Sequence, residues 1–286
     1  MYLCATPIGN LEDMTFRAIR ILREVDLIAA EDTRRTRKLL THFEIHTPLI
    51  RFDENCSSQV AEKILQRLLA GESVAVVSDA GLPAISDPGA DLVRLAIENG
   101  IKICPIPGAN AALSALICSG LDTTRFLFAG FAPKSKKNRF KFLEKLSIVE
   151  ETIIFYESPH RLKNFLEELL EVFGERQIVL ARELTKVHEE FLRGSISELI
   201  KNLDEPLGEF VVVVEGLLLK SNQTADAPHH SKVLALSPRS NSEIISFCKI
   251  LMAQGLDKKS AMRETAKKFN ISRREVYNSV IKEENL

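Results

Sequence analysis

Residues 78–89 read S-D-A-G-L-P-A-I-S-D-P-G and directly follow the apolar, β-branched run Val74-Ala75-Val76-Val77. No other segment constrains the chain as tightly. Gly81 and Gly89 can adopt backbone angles closed to other residues, and Pro83 and Pro88 fix φ. An ordinary strand-to-helix turn needs a single Gly or Pro, whereas this loop holds two of each, with two Asp and two Ser. Such a loop presents backbone N–H groups and carboxylates at the carboxyl end of a strand, which is where small ligands dock in open α/β sheets. A helical pattern at 90–98 follows.

The rest of the first half repeats this alternation. Residues 2–5, 26–30, 74–77 and 101–106 read as strands; 15–25, 33–43 and a segment capped by Ser57 or Ser58 and running to 70 read as helices. The order predicts a largely parallel sheet with helices on its faces. A polar stretch at 120–125 marks a boundary. Beyond it, strands are expected at 126–131, 152–156, 177–181, 189–193 and 210–214, with helices at 139–146, 160–173 and 196–203, giving a mixed sheet. The fold class is therefore α/β, as two consecutive α/β domains (1–120 and 121–219) with a cleft between them. A polar linker (220–242) and a small basic helical module of helix-turn-helix type (243–286) complete the chain.

Charge sharpens this division. The net charge of the 286 residues is −1, yet from Ser231 onward 11 Lys and Arg stand against six Asp and Glu. A basic attachment on a mildly acidic body points to nucleic-acid contact, with Arg273 and Arg274 at the start of a third short helix as candidate contacts. The five cysteines are odd in number and scattered, with neither a C-x-x-C pair nor a His at ligand spacing, so reduced, buried thiols and no metal are expected. No run approaches the ~18 apolar residues that span a bilayer, and the first residues lead straight into a strand rather than a signal sequence. A soluble cytoplasmic protein without membrane contact is the expectation.

Familiar nucleotide and hydrolase signatures are absent: there is no G-x-G-x-x-G after a strand, and no G-x-x-x-x-G-K-[ST], H-E-x-x-H or G-x-S-x-G. Three loops should instead project from one sheet edge. They carry Pro7, Gly9 and Asn10; Asp79 to Gly89; and Gly108, Asn110 and Ala111. Small residues there admit a ligand close to the backbone, while Asn10, Asp79 and Asn110 offer donors and acceptors. A fourth loop, Glu31-Asp32-Thr33-Arg34, adds charge, or is simply a helix start capped by Asp32 or Thr33. In the second half, Tyr156-Glu157-Ser158-Pro159-His160-Arg161 and Ala181-Arg182-Glu183-Leu184-Thr185-Lys186 place charged groups directly after apolar strands. These are ligand-facing or structurally paired, as Glu157–Arg161 or Arg182–Glu183. Lys134, Lys136, Lys137, Arg139 and Lys141 crowd five basic residues into eight positions, suited to phosphate contact or a solvated helix start.

Taken in order, the 6–10 loop with Leu11-Glu12-Asp13, Ala30-Glu31-Asp32-Thr33-Arg34, residues 78–89, residues 156–161 and residues 181–186 resemble the ribosomal RNA small subunit methyltransferase I family of the tetrapyrrole-methylase-like superfamily. The resemblance spans 1 to about 216 and extends to the basic tail. It implies S-adenosylmethionine held between two α/β domains, a homodimer, and 2′-O-methylation of a cytidine ribose in the decoding region of 16S rRNA in the small ribosomal subunit. The implied donor contacts are Pro7, Gly9, Asn10, Asp79, Ala80, Gly81, Pro83, Ser86, Asp87, Pro88, Gly108, Asn110 and Ala111. The chain departs from the family pattern at 53–56, at Leu82 and at Ala109, so no general base is carried over from 53–56.

Methyl transfer is an in-line displacement that rests on alignment, helped by a proton acceptor and a cation beside the developing alkoxide. Glu183 or His160 is the candidate acceptor; Lys186 or Arg182 is the candidate cation. The rival readings are a tetrapyrrole C-methyltransferase on the same scaffold and a non-catalytic RNA-binding module.

Overall fold

The computed structural model describes residues 1–53, 58–203, 206–217, 241–253, 256–269 and 276–277. The chain divides into two compact units, Met1–Leu217 and Leu218–Leu286. The boundary expected at 120–125 thus separates two sheets inside one unit.

In the first sheet, β4 (Val74–Val77) is buried along its whole length, and its side chains alternate between the two faces. Val74 and Val76 pack with Ile64 and Leu68 of α3 (Ser58–Leu69) and Leu92 of α4 (Ala90–Glu98). Ala75 and Val77 pack with Leu22 of α1 (Phe16–Glu24) and Leu40 of α2 (Thr33–His42). Around it lie β1 (Tyr2–Cys4), β2 (Leu27–Ala30), β3 (Leu49–Arg51) and β5 (Cys104–Ile106), in the order β3-β2-β4-β1-β5 with every pairing parallel. The loops after β4, β1 and β5 therefore emerge side by side from one edge, as expected. The three-residue β3 has too little apolar sequence to stand out, and β5 begins at Cys104 rather than 101.

The second sheet runs β6 (Phe126–Phe131), β7 (Thr152–Glu157), β10 (Phe210–Val214), β8 (Gln177–Arg182), β9 (Glu190–Ser195). Only the β6–β7 pairing is parallel, so the sheet is mixed. Phe210, Val212 and Val214 of its central strand share a core with Leu143 of α6 (Lys136–Leu146), Phe165 and Leu169 of α7 (Pro159–Phe173) and Ile196 of α8 (Ile196–Asn202). Val211 and Val213 face the other way, onto Ala112, Ala115 and Leu116 of α5 (Ala111–Ser119). This helix links the sheets. It reads A-A-L-S-A-L-I-C-S, apolar on every side, and so lacks the amphipathic period that marks its neighbours. Gly120, at φ 79°, ends it in the left-handed region.

Two local findings refine the expectations. The helix α6 begins at Lys136, three residues earlier than read from the sequence, so most of the basic stretch is helical rather than loop. Of the four cysteines among the described residues, Cys4 is buried, with its thiol pushed up to about 12 chiefly by that burial. Cys118, expected to be buried, is exposed.

In the second unit, α9 (Asn241–Ala253) and α10 (Lys258–Phe269) enclose a small core of Ile245, Cys248, Ala261, Ala266 and Val276. The Asp257 carboxylate accepts from the N–H groups of Lys259 and Ser260 and caps α10. Most of the linker, the third-helix start at 272–275 with Arg273 and Arg274, and residues 54–57 lie outside the described residues.

Candidate active site

Of the three adjacent loops at the edge of the first sheet, those after β1 and β4 are tied together by main-chain hydrogen bonds. Thr6 and Gly81 exchange N–H···O bonds of 2.9 and 3.0 Å, and the Thr6 hydroxyl donates to the Ser78 carbonyl at 3.2 Å. Gly81 sits at φ 77°, which only glycine adopts without strain. A Cβ on Gly108 would lie 2.8 Å from that of Ala5, so the β5 loop passes against β1 only because this position is bare.

Asp79, at the tip of β4, joins two strand ends. Its Oδ1 accepts from the Asp32 N–H at 3.0 Å, its own N–H donates to Glu31 Oε2 at 3.2 Å, and its Oδ2 lies 3.3 Å from Arg35. Asp32, rather than Thr33, is the N-cap of α2, and the Arg34 guanidinium holds its carboxyl well below the usual range. The side chains of Asn10 and Asn110 also serve as caps: their oxygens accept from Glu12 N–H and Leu113 N–H at 3.0 and 2.9 Å. Farther along the 78–89 loop, Ala84 and Ser86 take positive φ of 67° and 60°, conformations strained for residues with a Cβ. The loop reaches the second sheet, where a Cβ on Gly130 would lie 3.2 Å from Ser86 Oγ.

From the other sheet, the turn after β8 meets the 6–10 loop. Asn10 N–H donates to Thr185 Oγ1 at 3.0 Å, and a Cβ on Gly9 would fall 2.6 Å from Lys186 Cγ. Glu183 and Thr185 hold positive φ of 49° and 65°. Glu183 Oε1 accepts from Lys186 Nζ and from Glu209 N–H, both at 2.9 Å, and Lys186 Nζ also reaches Glu209 Oε2 at 3.0 Å. Gly208, at φ 93°, is required here, because a Cβ would press on Glu183 Cγ, Cδ and Oε1 at 2.5–2.7 Å. The Glu209 N–H and then Lys186 hold the Glu183 carboxyl below its ordinary range. Burial works against the Lys186 charge, but the bonds to Glu183 and Glu209 outweigh it and the ammonium is strengthened.

A cavity of about 350 Å³ lies among these elements, lined by the 6–9 loop, residues 78–80, Arg35 and Lys38 of α2, and Lys186 with Glu209. Of the four catalytic candidates, Lys186 is in its wall and Glu183 touches Lys186. Arg182 donates instead to the Leu207 carbonyl at 2.8 Å, and His160 is exposed on the first turn of α7. Glu209, Gly208 and Arg35 were not singled out from the sequence. Their partners stand 23 to 44 residues away, and no local pattern announces them. Among the described residues no cluster suited to a metal ion occurs, and no helix is long and apolar enough to cross a membrane.

The basic stretch divides in two. Lys134, Lys136 and Lys137 are exposed, whereas Arg139 turns inward onto Glu168 of α7 in a bidentate pair, with carbonyl contacts to Pro133 and Lys134 at 3.0 and 2.9 Å. The side chains of Arg139 and Glu168 are only 12% and 9% exposed, so this arginine is structural and the lysines carry the outward charge. Beside it, Arg161 lies 3.2 Å from the buried Glu157 and donates to the Ala132 carbonyl, the structural pairing weighed from the sequence. Replacing Glu168 with Ala should destabilise the unit by roughly 3–5 kcal/mol, because Arg139 is left charged and buried. Urea unfolding monitored by circular dichroism measures this directly.

Two α/β lobes meeting at glycine-bearing strand tips define a methylase of the tetrapyrrole type, and residues 1–200 match the family described as tetrapyrrole (corrin/porphyrin) methylases. A solved structure of uroporphyrin-III C-methyltransferase from Thermus thermophilus, in complex with S-adenosylhomocysteine, shares the fold at a TM-score of 0.54 and 14% identity, covering 74% of this chain and 95% of that one. Closer in sequence are two proteins named ribosomal RNA small subunit methyltransferase I. That of Bacillus subtilis is 47% identical over 281 residues (98% of this chain, 93% of the relative), and that of Halalkalibacterium halodurans 46% over 280 (97% and 93%). The chain belongs to the ribosomal RNA small subunit methyltransferase I family, within the tetrapyrrole methylases.

Proposed function

We propose that this chain uses S-adenosylmethionine to methylate small-subunit ribosomal RNA, at the 2′-oxygen of a cytidine ribose in the decoding region of 16S rRNA. The observation that carries this reading is a single cavity whose wall combines the glycine-bearing turns of one lobe with a lysine braced by two carboxylates of the other. The names of the relatives support the RNA substrate.

The cavity suits the donor in size, since small-molecule sites run from roughly 300 to 1,000 Å³. Bare backbone at Gly9, Gly81 and Gly108 lets the loops close on a ligand. Pro7, Gly9 and Asn10, Asp79, Ala80, Gly81 and Pro83, and Gly108, Asn110 and Ala111 would hold the donor, with Ser86, Asp87 and Pro88 bracing the outer part of the long loop. When bound, the donor supplies an electrophilic methyl group on a sulfonium. The chain's own task is alignment of the ribose oxygen and stabilisation of the charge that develops on it. Lys186 provides that stabilisation as a fixed ammonium. Glu183, held ionised, is a weak proton acceptor and acts chiefly by holding Lys186 in place. Lys134, Lys136 and Lys137 contact phosphates away from the cavity. A homodimer is part of the same proposal, supported by apolar side chains left exposed at Ile117, Phe126 and Leu127.

The test is transfer of labelled methyl from S-adenosylmethionine to small subunits purified from cells lacking this gene, followed by mass mapping of the rRNA. Label on one cytidine ribose is the expected result. Label on a tetrapyrrole instead, or saturable RNA binding without transfer, would overturn the proposal.

A further inference from the structure

We infer that Arg35 and Lys38 of α2 form a phosphodiester-binding rim that seats the RNA strand at the mouth of the active-site cavity. The inference rests on the RNA-methyltransferase reading above and adds to it a contact surface in the first lobe.

The helix reads T-R-R-T-R-K-L-L-T-H and turns Thr36 and Leu40 into the core. Its four arginine and lysine residues, Arg34, Arg35, Arg37 and Lys38, are all exposed, but they do not share one role. Arg35 and Lys38 are three residues apart and so lie on one side of the helix. Both line the cavity together with Thr36 and Leu39; Arg34 and Arg37 do not. A merely solvated helix face would not aim two of its cations at the same 350 Å³ space that holds Lys186.

The charges around that space are unbalanced. Arg35, Lys38 and Lys186 line it against two carboxylates, Asp79 and Glu209, and both carboxylates are already engaged. Asp79 accepts from the Asp32 N–H and faces Arg35, while Glu209 holds Lys186. No ion pair of Lys38 occurs among the described residues, which leaves a surplus cation at the rim. The Arg35–Asp79 contact is long at 3.3 Å, with the Arg35 side chain 70% exposed. Such a surface pair contributes little, so its guanidinium can turn to an anion at small cost. The planar fork of arginine suits a phosphate better than a single carboxylate oxygen. The anion that belongs beside a ribose undergoing modification is the strand's own backbone phosphate, and holding it fixes the register of the nucleotide that enters the cavity.

The test compares the full chain with the double variant Arg35→Gln/Lys38→Gln and with Arg37→Gln, measuring affinity for 16S rRNA across a salt series and affinity for S-adenosylhomocysteine by equilibrium dialysis. In the double variant, rRNA affinity should fall at least about tenfold near 0.1 M salt, and the slope of log affinity against log salt should become shallower by about one to two. S-adenosylhomocysteine affinity should fall by a much smaller factor than rRNA affinity, and Arg37→Gln should bind rRNA within about twofold of the unaltered protein, since a lost phosphate contact is what sets the tenfold scale. An unchanged salt slope in the double variant would overturn the inference. So would an equal loss in Arg37→Gln, which would mean diffuse attraction, or a parallel loss of S-adenosylhomocysteine, which would assign the rim to the donor's carboxylate. If the unaltered chain bound no rRNA, the RNA reading itself would fall, and this site with it.

Discussion

Gly9→Ala is expected to lower the single-turnover rate of methyl transfer by about 10²-fold or more, while the protein stays folded. The added Cβ would lie 2.6 Å from Lys186 Cγ, 2.8 Å from Thr185 Oγ1 and 3.0 Å from the Leu184 carbonyl oxygen. The first two are side-chain atoms that can swing away. The third is backbone, in a turn already held at positive φ on both sides by Glu183 and Thr185. Relief therefore has to come from separating the two loops, and that displaces Lys186 from the cavity wall. Gly9 itself does not take a positive φ, so the substitution acts through close approach rather than backbone strain. Rapid-quench measurement of the transfer step, beside a thermal melt, distinguishes a misplaced lysine from a destabilised fold. A rate within threefold of wild type would mean that the contact between these loops does not position the chemistry.

Lys186→Met should lower the same rate by roughly 10²–10³-fold, the range for removing one preorganised stabilising group from a site of developing negative charge. The replacement fills most of the aliphatic volume and deletes only the ammonium. It also leaves the carboxylates of Glu183 and Glu209 facing each other without the cation that lies 2.9 and 3.0 Å from them. In the wild type the carboxyl of Glu183 titrates below its unfolded value. Its contribution to stability is therefore present above that value, near 4.5, and is lost as pH falls through the lower folded value. Without Lys186, the Glu183 carboxyl loses one of the groups that lower its pKa, so the acid limb of the stability curve should begin at higher pH. Glu183→Gln is the informative comparison, because its amide oxygen can still accept from the Glu209 N–H. A smaller rate loss than in Lys186→Met fits a bracing role. A larger loss, with a new dependence on pH, would make Glu183 the proton acceptor.

What could be read from the sequence follows a physical division between local and distant partners. The parallel sheet and the shared edge of the 6–10, 79–89 and 107–111 loops follow from strand–helix alternation, which is written locally along the chain. The same is true of Pro159 opening α7 and Asp32 capping α2. Helix α5 escaped notice because its exposed side also carries apolar residues, Leu113, Ile117 and Cys118, so the sequence shows no amphipathic period. Asn10 and Asn110 lie on the loops at that sheet edge, and their side-chain oxygens satisfy helix-start N–H groups, an assignment that spacing alone leaves open. Arg139 looked like one of five surface cations. Its burial depends on Glu168, 29 residues away on another helix. The bracing of Lys186 by Glu209 likewise depends on β8 and β10 lying side by side, which only the folded sheet brings about.

The proposed methyl-donor pocket is bounded by the turns of the first lobe and Lys186 of the second. A crystal structure of the full chain with S-adenosylhomocysteine tests this most directly. The ligand is expected in the cavity lined by Gly9, Asp79 and Lys186, in contact with the loops that carry Gly81 and Gly108. A ligand seated elsewhere on the chain, with that cavity left to solvent, would contradict it.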